Sequence, residues 1–185
     1  MSREFSHNTR PPKPSADLSH IRLAGEGDEM QIFNLCSLMH AEAGLHPLAW
    51  PKVAAMVRLA TQRTRGIIGV IGEPHNLLAA IFMVIEPIWY SDDFQLLEYF
   101  NYVRPDARKS HFAQDLLAYG KRCADDLGID FLCGVLSNKR TEAKCRLYQR
   151  VMPKVGEFYC YRPENQAAEL VRLSLTPSAN QVAAE

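Results

Sequence analysis

The chain has 185 residues, 47% of them hydrophobic and 23% charged, enough for one globular domain around a sizeable core. Its 21 Lys and Arg balance 21 Asp and Glu, so no net positive field draws it towards nucleic acid or an anionic membrane. The longest apolar run, Leu77 to Ile85, is far below the roughly 20 residues of a bilayer crossing, and the N-terminus lacks the apolar core of a signal peptide, so a cytoplasmic protein is expected.

Residues 1–19, with Pro11, Pro12 and Pro14 among polar residues, read as a disordered or extended arm. A short strand is predicted over His20 to Ala24. Asp28 is a candidate N-cap for a helix in which Ile32, Leu35, Cys36, Met39 and Ala43 recur every three or four residues up to Gly44. His46 to Trp50 read as a loop, and a second helix, 52–63, places Val53, Met56, Val57 and Ala60 on one stripe. Gly66 to Gly72 and Leu77 to Ile85 form a β-hairpin across the four residues Glu73-Pro74-His75-Asn76. The strand Phe94 to Val103 shows one face of Phe94, Leu96, Glu98, Phe100 and Tyr102, with Asn101 on the other. Glu98 is the misfit on that face.

After Pro105 the period changes from two to 3.6. Ala113, Leu116, Leu117, Gly120, Ala124 and Leu127 share a helical face that stops at Gly128. Ile129 to Leu136 is almost continuously apolar, as in a strand buried on both sides. A helix from Arg140 to about Met152 and two strands, Val155 to Tyr161 and Glu169 to Leu175, complete a single domain over 20–176, with a flexible tail at 177–185. This order predicts an α/β fold: a mixed sheet containing a βαβ unit, with helices on both faces. The five cysteines, Cys36, Cys123, Cys133, Cys145 and Cys160, lack metal-ligand spacing and read as reduced thiols packed as small hydrophobes; no metal is expected.

Four features in order carry a family resemblance: Val103-Arg104-Pro105, then Arg108-Lys109-Ser110-His111-Phe112-Ala113 opening a helix, then the buried strand with Asn138, then Leu147-Tyr148. Together they resemble the GNAT N-acetyltransferase family, over about 20–175 of the chain and most specifically over 95–160. The loop departs from the family pattern at His111, where a glycine is usual, and its Arg-Lys-Ser-x-x-Ala style resembles acetyltransferase-like proteins of phages and prophages. The resemblance implies a mostly antiparallel central sheet with one splayed parallel pair, acetyl-CoA or another acyl-CoA as co-substrate, an amine acceptor, and a possible homodimer. For a phage-encoded member the location would be the host cytoplasm.

The chemistry agrees with that implication. A helix N-terminus supplies convergent N–H donors and positive potential for a diphosphate, and Arg108, Lys109 and Arg104 add charge. The candidate cofactor residues are Tyr102, Val103, Arg108, Lys109, Ser110, His111, Phe112, Ala113 and Asn138. Tyr148 resembles the family's general acid, and Glu98, on an apolar face, is the candidate base with a raised pKa. The acceptor is expected around His46, Trp50, Trp89, Tyr90, Asp92 and Asp93, where aromatics beside aspartates would attract a cationic amine. Two alternatives stay open. One is a non-catalytic GNAT-fold binding protein serving as a phage accessory or host-interaction factor. The other is a DNA-base modifying enzyme on the same fold, for which Arg58, Arg63 and Arg65 would have to supply a local patch.

Overall fold

A computed structural model describes residues 17–135 and 141–159. Strand β1, Ile21–Leu23, leads into helices α1, Glu29–Ala43, and α2, Trp50–Thr61; the meander β2, Gly66–Glu73, β3, Asn76–Pro87, and β4, Phe94–Val103, follows. Helix α3, Phe112–Leu127, strand β5, Asp130–Leu132, and helix α4, Thr141–Gln149, come next. The strands form one five-stranded sheet in sequence order, antiparallel except for β4 and β5, which α3 joins as a crossover. The chain divides after Pro153 into two compact units.

Local rules explain most boundaries. In α1 the buried Ile32, Leu35 and Cys36 keep the 3.6-residue period, and Gly44 closes the helix with its N–H on His40 O at 2.8 Å. Asp28 precedes α1 without capping it. Its carboxylate instead takes two bonds from the Arg22 guanidinium, at 2.6 and 2.7 Å, and one from Gly25 N–H at 2.9 Å, tying β1 to the entrance of the helix. Helix α2 starts at Trp50, earlier than expected, because Pro51 suits the first turn, where its missing N–H costs no bond. It ends on Arg63 at φ 58°, with Arg63 N–H on Ala60 O and Thr64 N–H on Leu59 O, a closing pattern that glycine usually serves. The hairpin connection is only Pro74-His75, since Glu73 and Asn76 already pair; Gly72, at φ 111°, absorbs the irregularity beside it.

Each sheet face has its own core. On one, Ile32, Leu35, Val57 and Ala60 of α1 and α2 meet Ile68, Val70, Ala80, Phe82, Val84, Phe100 and Tyr102. On the other, Leu116 and Ala124 of α3 meet Ile71, Ala79, Ile81, Met83, Leu96 and Val103. Helix α3 lies so close that a Cβ on Gly120 would come within 2.6 Å of the Phe131 ring. Each fully buried aliphatic side chain contributes on the order of 1.5–3 kcal/mol to this packing.

The departure with the largest consequence is a β-bulge in β4. Phe82 pairs with Phe100 while the next residue, Met83, pairs with Glu98, so Tyr99 is extra. One inserted residue reverses the alternation. Leu96 faces α3, whereas Phe100 and Tyr102 face α1 and α2, so the expected single face from Phe94 to Tyr102 is broken in two. Beyond the bulge Asn101 turns to the α3 side, where its Nδ2 donates to Ala113 O at 3.0 Å; it shares a side with Glu98 and does not oppose it.

The bulge also ends the parallel pairing. Strand β5 matches only Gln95–Leu97, residues 133–135 are irregular, Asp130 is exposed, and Phe131 and Leu132 are half-buried. The expected long, doubly buried strand is therefore a three-residue edge strand in the described sheet, because a bent, bulged neighbour offers no regular ladder beyond Leu97. In the second unit, residues 154–159 form no regular strand, contrary to the alternation of 155–161: Lys154 pairs with Glu157, and Tyr159 O–H donates to the same carboxylate. The proposed arm up to residue 16, Leu136, Asn138, Arg140, Cys160, the strand over Glu169 to Leu175 and the tail lie outside the described residues.

Candidate active site

Past the bulge, β4 joins the C-terminal end of α1 and the starts of α3 and α4 in enclosing a cleft of about 230 Å³. Met39, Glu42 and Ala43 form one wall, Asn101, Tyr102 and Val103 the floor, Arg108, Ser110 and Ala113 the entrance to α3, and Ala143, Lys144 and Leu147 the α4 side. Pro105 ends β4, and a single 3-10 turn, Pro105–Ala107, redirects the chain. Ser110 Oγ then donates to Ala107 O at 2.6 Å and accepts Phe112 N–H at 3.3 Å, which starts α3. Gln114 and Asp115 N–H return to His111 O; among the described residues the N–H groups of His111 and Ala113 make no hydrogen bond. A helix N-terminus with free donors opens beside the cleft.

Tyr148 and Glu98, 50 residues apart, meet directly: the Tyr148 hydroxyl lies 2.8 Å from each carboxylate oxygen. Burial lifts the Glu98 carboxyl above the ordinary range; hydrogen bonds from Tyr148 and Cys133 and the charge of Lys144 oppose the lift. Burial, and then the neighbouring Glu98 charge, push the Tyr148 hydroxyl well above a free phenol, while a hydrogen bond from Asn101 acts the other way. Cys133 is moved up by the same two causes and is a thiol held against a carboxylate. Glu98, Asn101, Cys133 and Tyr148 thus form one polar cluster, of which Asn101 lines the cleft and Glu98, Cys133 and Tyr148 lie behind its lining.

The basic loop divides. Arg108 turns inward: Nη2 lies 2.6 and 2.7 Å from the two Glu42 oxygens, Nε donates to Val103 O at 3.1 Å, and the guanidinium sits 5.4 Å from the Tyr102 ring centroid. Its charge is matched by Glu42, a partner the sequence reading did not include. Tyr102 O–H also donates to Glu42, at 2.8 Å, and burial first and this bond second push its pKa up to about 12. Arg104 is paired with Asp106. Lys109 and His111 are exposed, and neither lines the cleft. Phe112 sends its side chain into the α3 core, so only its backbone belongs to the loop.

The acceptor candidates are placed elsewhere. Trp50 packs edge-on against Phe33, and Trp89 and Tyr90, 92% and 74% exposed, meet edge-to-face in the turn before β4, at the far end of that strand from Val103. Asp93 closes that turn, accepting Ile88 N–H on its backbone carbonyl, and Asp92 is exposed. His46 offers its carbonyl to His40. None of these lines the cleft. Glu42, Lys144, Cys133 and Asn101 are the members that periodicity did not single out. Asn101 carried a signal, an amide near the end of an otherwise apolar strand.

The architecture has known counterparts. A possible acetyltransferase from Clostridium difficile 630 matches with a TM-score of 0.61 and 20% identity, over 78% of this chain and 96% of that one. The fold is the GNAT acetyltransferase fold. An integron cassette protein from the mobile metagenome of Cole Harbour Salt Marsh matches with a TM-score of 0.62 and 20% identity, over 80% of this chain and 92% of that one. AAC(6')-Iy, in complex with the bisubstrate analogue CoA-S-monomethyl-acetylneamine, matches with a TM-score of 0.60 and 15% identity, over 78% and 97%. No protein-family model and no curated protein sequence matches the chain. Among the described residues no group of His, Cys, Asp and Glu is arranged to hold a metal ion, and no helix is long and apolar enough to cross a membrane.

Proposed function

We propose that this protein is an acyl-CoA-dependent N-acyltransferase that moves an acetyl or short acyl group directly to a primary amine of a small molecule or a protein. The observation that carries the reading is the Tyr148–Glu98 hydrogen bond beside a cleft that ends at a free helix N-terminus. The cleft residues fit such a co-substrate. The first turn of α3, from Ser110 to Ala113, would hold the diphosphate with Lys109 nearby, and the edge of β4 at Tyr102 and Val103 would take the arm. When bound, the thioester supplies an activated acyl group.

The protein's part is to move a proton. Glu98, with its raised pKa, takes one from the amine directly or through a water, and becomes neutral. It then returns a proton to the Tyr148 oxygen as Tyr148 passes its own to the departing sulfur. Each group ends as it began once Glu98 and Tyr148 have exchanged; the amine has lost a proton and the thiol has gained one. A lone phenol this buried would be a poor acid, and the carboxyl behind it removes that handicap by avoiding a free phenolate.

A second reading, a GNAT-fold binding protein without turnover, draws on the commitment of Arg108 to Glu42, which leaves Lys109 as the loop's cation without a partner among the described residues. The Arg-Lys-Ser-x-x-Ala loop supports placing the chain near phage-type members under either reading. Acetyl-CoA should raise the melting temperature while ATP does not, and amines should then release CoA thiol. Failure of millimolar acetyl-CoA to stabilise the protein would sink the enzyme reading and the diphosphate role of the α3 turn; stabilisation without thiol release from a broad amine panel would favour the second.

A further inference from the structure

The cleft holds an amine of its own. Among the described residues that line it, Lys144 is the one with a primary amine, set beside Ala113, Ala143 and Leu147. Lys52, Lys109 and Lys121 are exposed, and Lys121 donates to Val151 O at 3.3 Å. Lys144 is half-buried, and among the described residues it makes neither an ion pair nor a hydrogen bond. The ion pair along α4 joins Glu142 to Arg146 at 3.6 Å, both on its exposed side, and leaves Lys144 out. A lysine that served solubility alone would sit on that side too, since burying a cation without a partner costs stability.

Position on the helix directs the amine. Lys144 and Tyr148 are four residues apart on α4 and so neighbours on one face, and Leu147 between them also lines the cleft. The Lys144 charge is felt at Glu98, where it opposes the lift that burial gives the carboxyl. An amine, the base and the acid are thus gathered at one place, and holding them there replaces a bimolecular encounter by a step within the chain.

We propose that Lys144 is an internal acyl acceptor: the protein transfers the acetyl group of bound acetyl-CoA to its own Lys144 Nζ. The inference rests on the acyl-CoA reading above. The ammonium first gives one proton to solvent. Nζ then attacks the thioester carbonyl, the N–C bond forms as the C–S bond breaks, and a second proton passes through Glu98 and Tyr148 to the departing sulfur. The products are Nε-acetylated Lys144, CoA thiol and one proton in water. The new amide is neither charged nor nucleophilic, so each chain reacts with itself once, and the modified cleft has lost the cation near Glu98.

The test is incubation of the full chain with acetyl-CoA and no added amine, for wild type, Lys144→Arg, Tyr148→Phe and Glu98→Gln, read by intact mass, peptide mapping and thiol release. Expected is one acetyl group on Lys144 and one equivalent of CoA thiol per chain, at a rate independent of protein concentration. Lys144 should react about 10²-fold faster than the exposed Lys52, Lys109 and Lys121, and about 10²-fold faster in wild type than in Tyr148→Phe or Glu98→Gln. Lys144→Arg keeps the charge and should abolish both the modification and the thiol release. Should neither Tyr148→Phe nor Glu98→Gln fold, the ratio of Lys144 to the exposed lysines decides. The proposal alone is overturned if acetyl-CoA stabilises wild type but leaves Lys144 unmodified, or modifies it no faster than the exposed lysines. A rate that neither site variant lowers, or one that rises with protein concentration, overturns it equally. Wild type that acetyl-CoA does not stabilise overturns it together with the acyl-CoA reading.

Discussion

Two buried polar clusters in this protein are built in opposite ways. At the β1–α1 junction, Asp28 is 3% exposed and its carboxylate receives three donors, two from Arg22 and one from Gly25. Beside the cleft, Glu98 is held above its ordinary pKa, Tyr148 is shared between two carboxylate oxygens, and Asn101 has one acceptor without a partner among the described residues. The first cluster has its bonds satisfied within the chain and serves the fold. The second is satisfied only in part among the described residues.

The comparison is broken most directly at Tyr148. Tyr148→Phe should lower kcat for acetyl transfer on the order of 10²- to 10³-fold, read as CoA thiol release, while stability falls by about 1–3 kcal/mol. A large loss of stability with turnover intact would make the cluster structural, like its counterpart. Asp28→Asn should do the reverse and cost about 2 kcal/mol, below the usual figure for a broken buried pair because Arg22 remains 37% exposed, with turnover per folded molecule preserved. Chemical denaturation of both proteins measures it.

The two carboxylates should also respond oppositely to pH. Arg22 holds Asp28 below its ordinary pKa, so the folded state binds fewer protons there; that stabilisation is complete above the unfolded value and is lost as pH falls through the folded one. Glu98 is raised, so the folded state binds more protons; stability falls as pH rises from the unfolded value through the folded one, and the penalty is complete above it. Denaturation midpoints across pH should therefore show Glu98→Gln gaining on wild type as pH rises through that window. The gap between wild type and Asp28→Asn should close in acid. The smallest effect belongs to Arg63→Gly, which relieves a left-handed residue outside either cluster and should add about 0.5–1 kcal/mol to unfolding free energy.

Much of the scaffold was legible from local pattern. The stripe of Ile32, Leu35 and Cys36, the helical face of Leu116, Leu117, Gly120 and Ala124, the stop at Gly128 and the strand Phe94–Val103 follow from periodicities that need no knowledge of neighbours. Leu127 did not keep to its stripe; at 44% exposed it sits where α3 has already passed the sheet. Within the candidate site, Glu98 was readable as a chemical misfit, and Tyr148 only through the family resemblance carried by Leu147-Tyr148. Glu42, Lys144 and Cys133 were not, because each gains its meaning from a partner on another element.

By itself, then, the amino-acid sequence determined the order of elements, their faces as isolated segments, and the turn that begins α3. Tertiary structure alone decided which side of β4 each residue presents beyond Glu98, because a bulge belongs to the register between two strands and neither strand encodes it separately. That single extra residue, Tyr99 opposite the Phe82–Met83 step, ends the pairing with β5 and turns Asn101 to the side of Glu98 and Tyr148. The cleft and its polar cluster exist because the alternation slips by one.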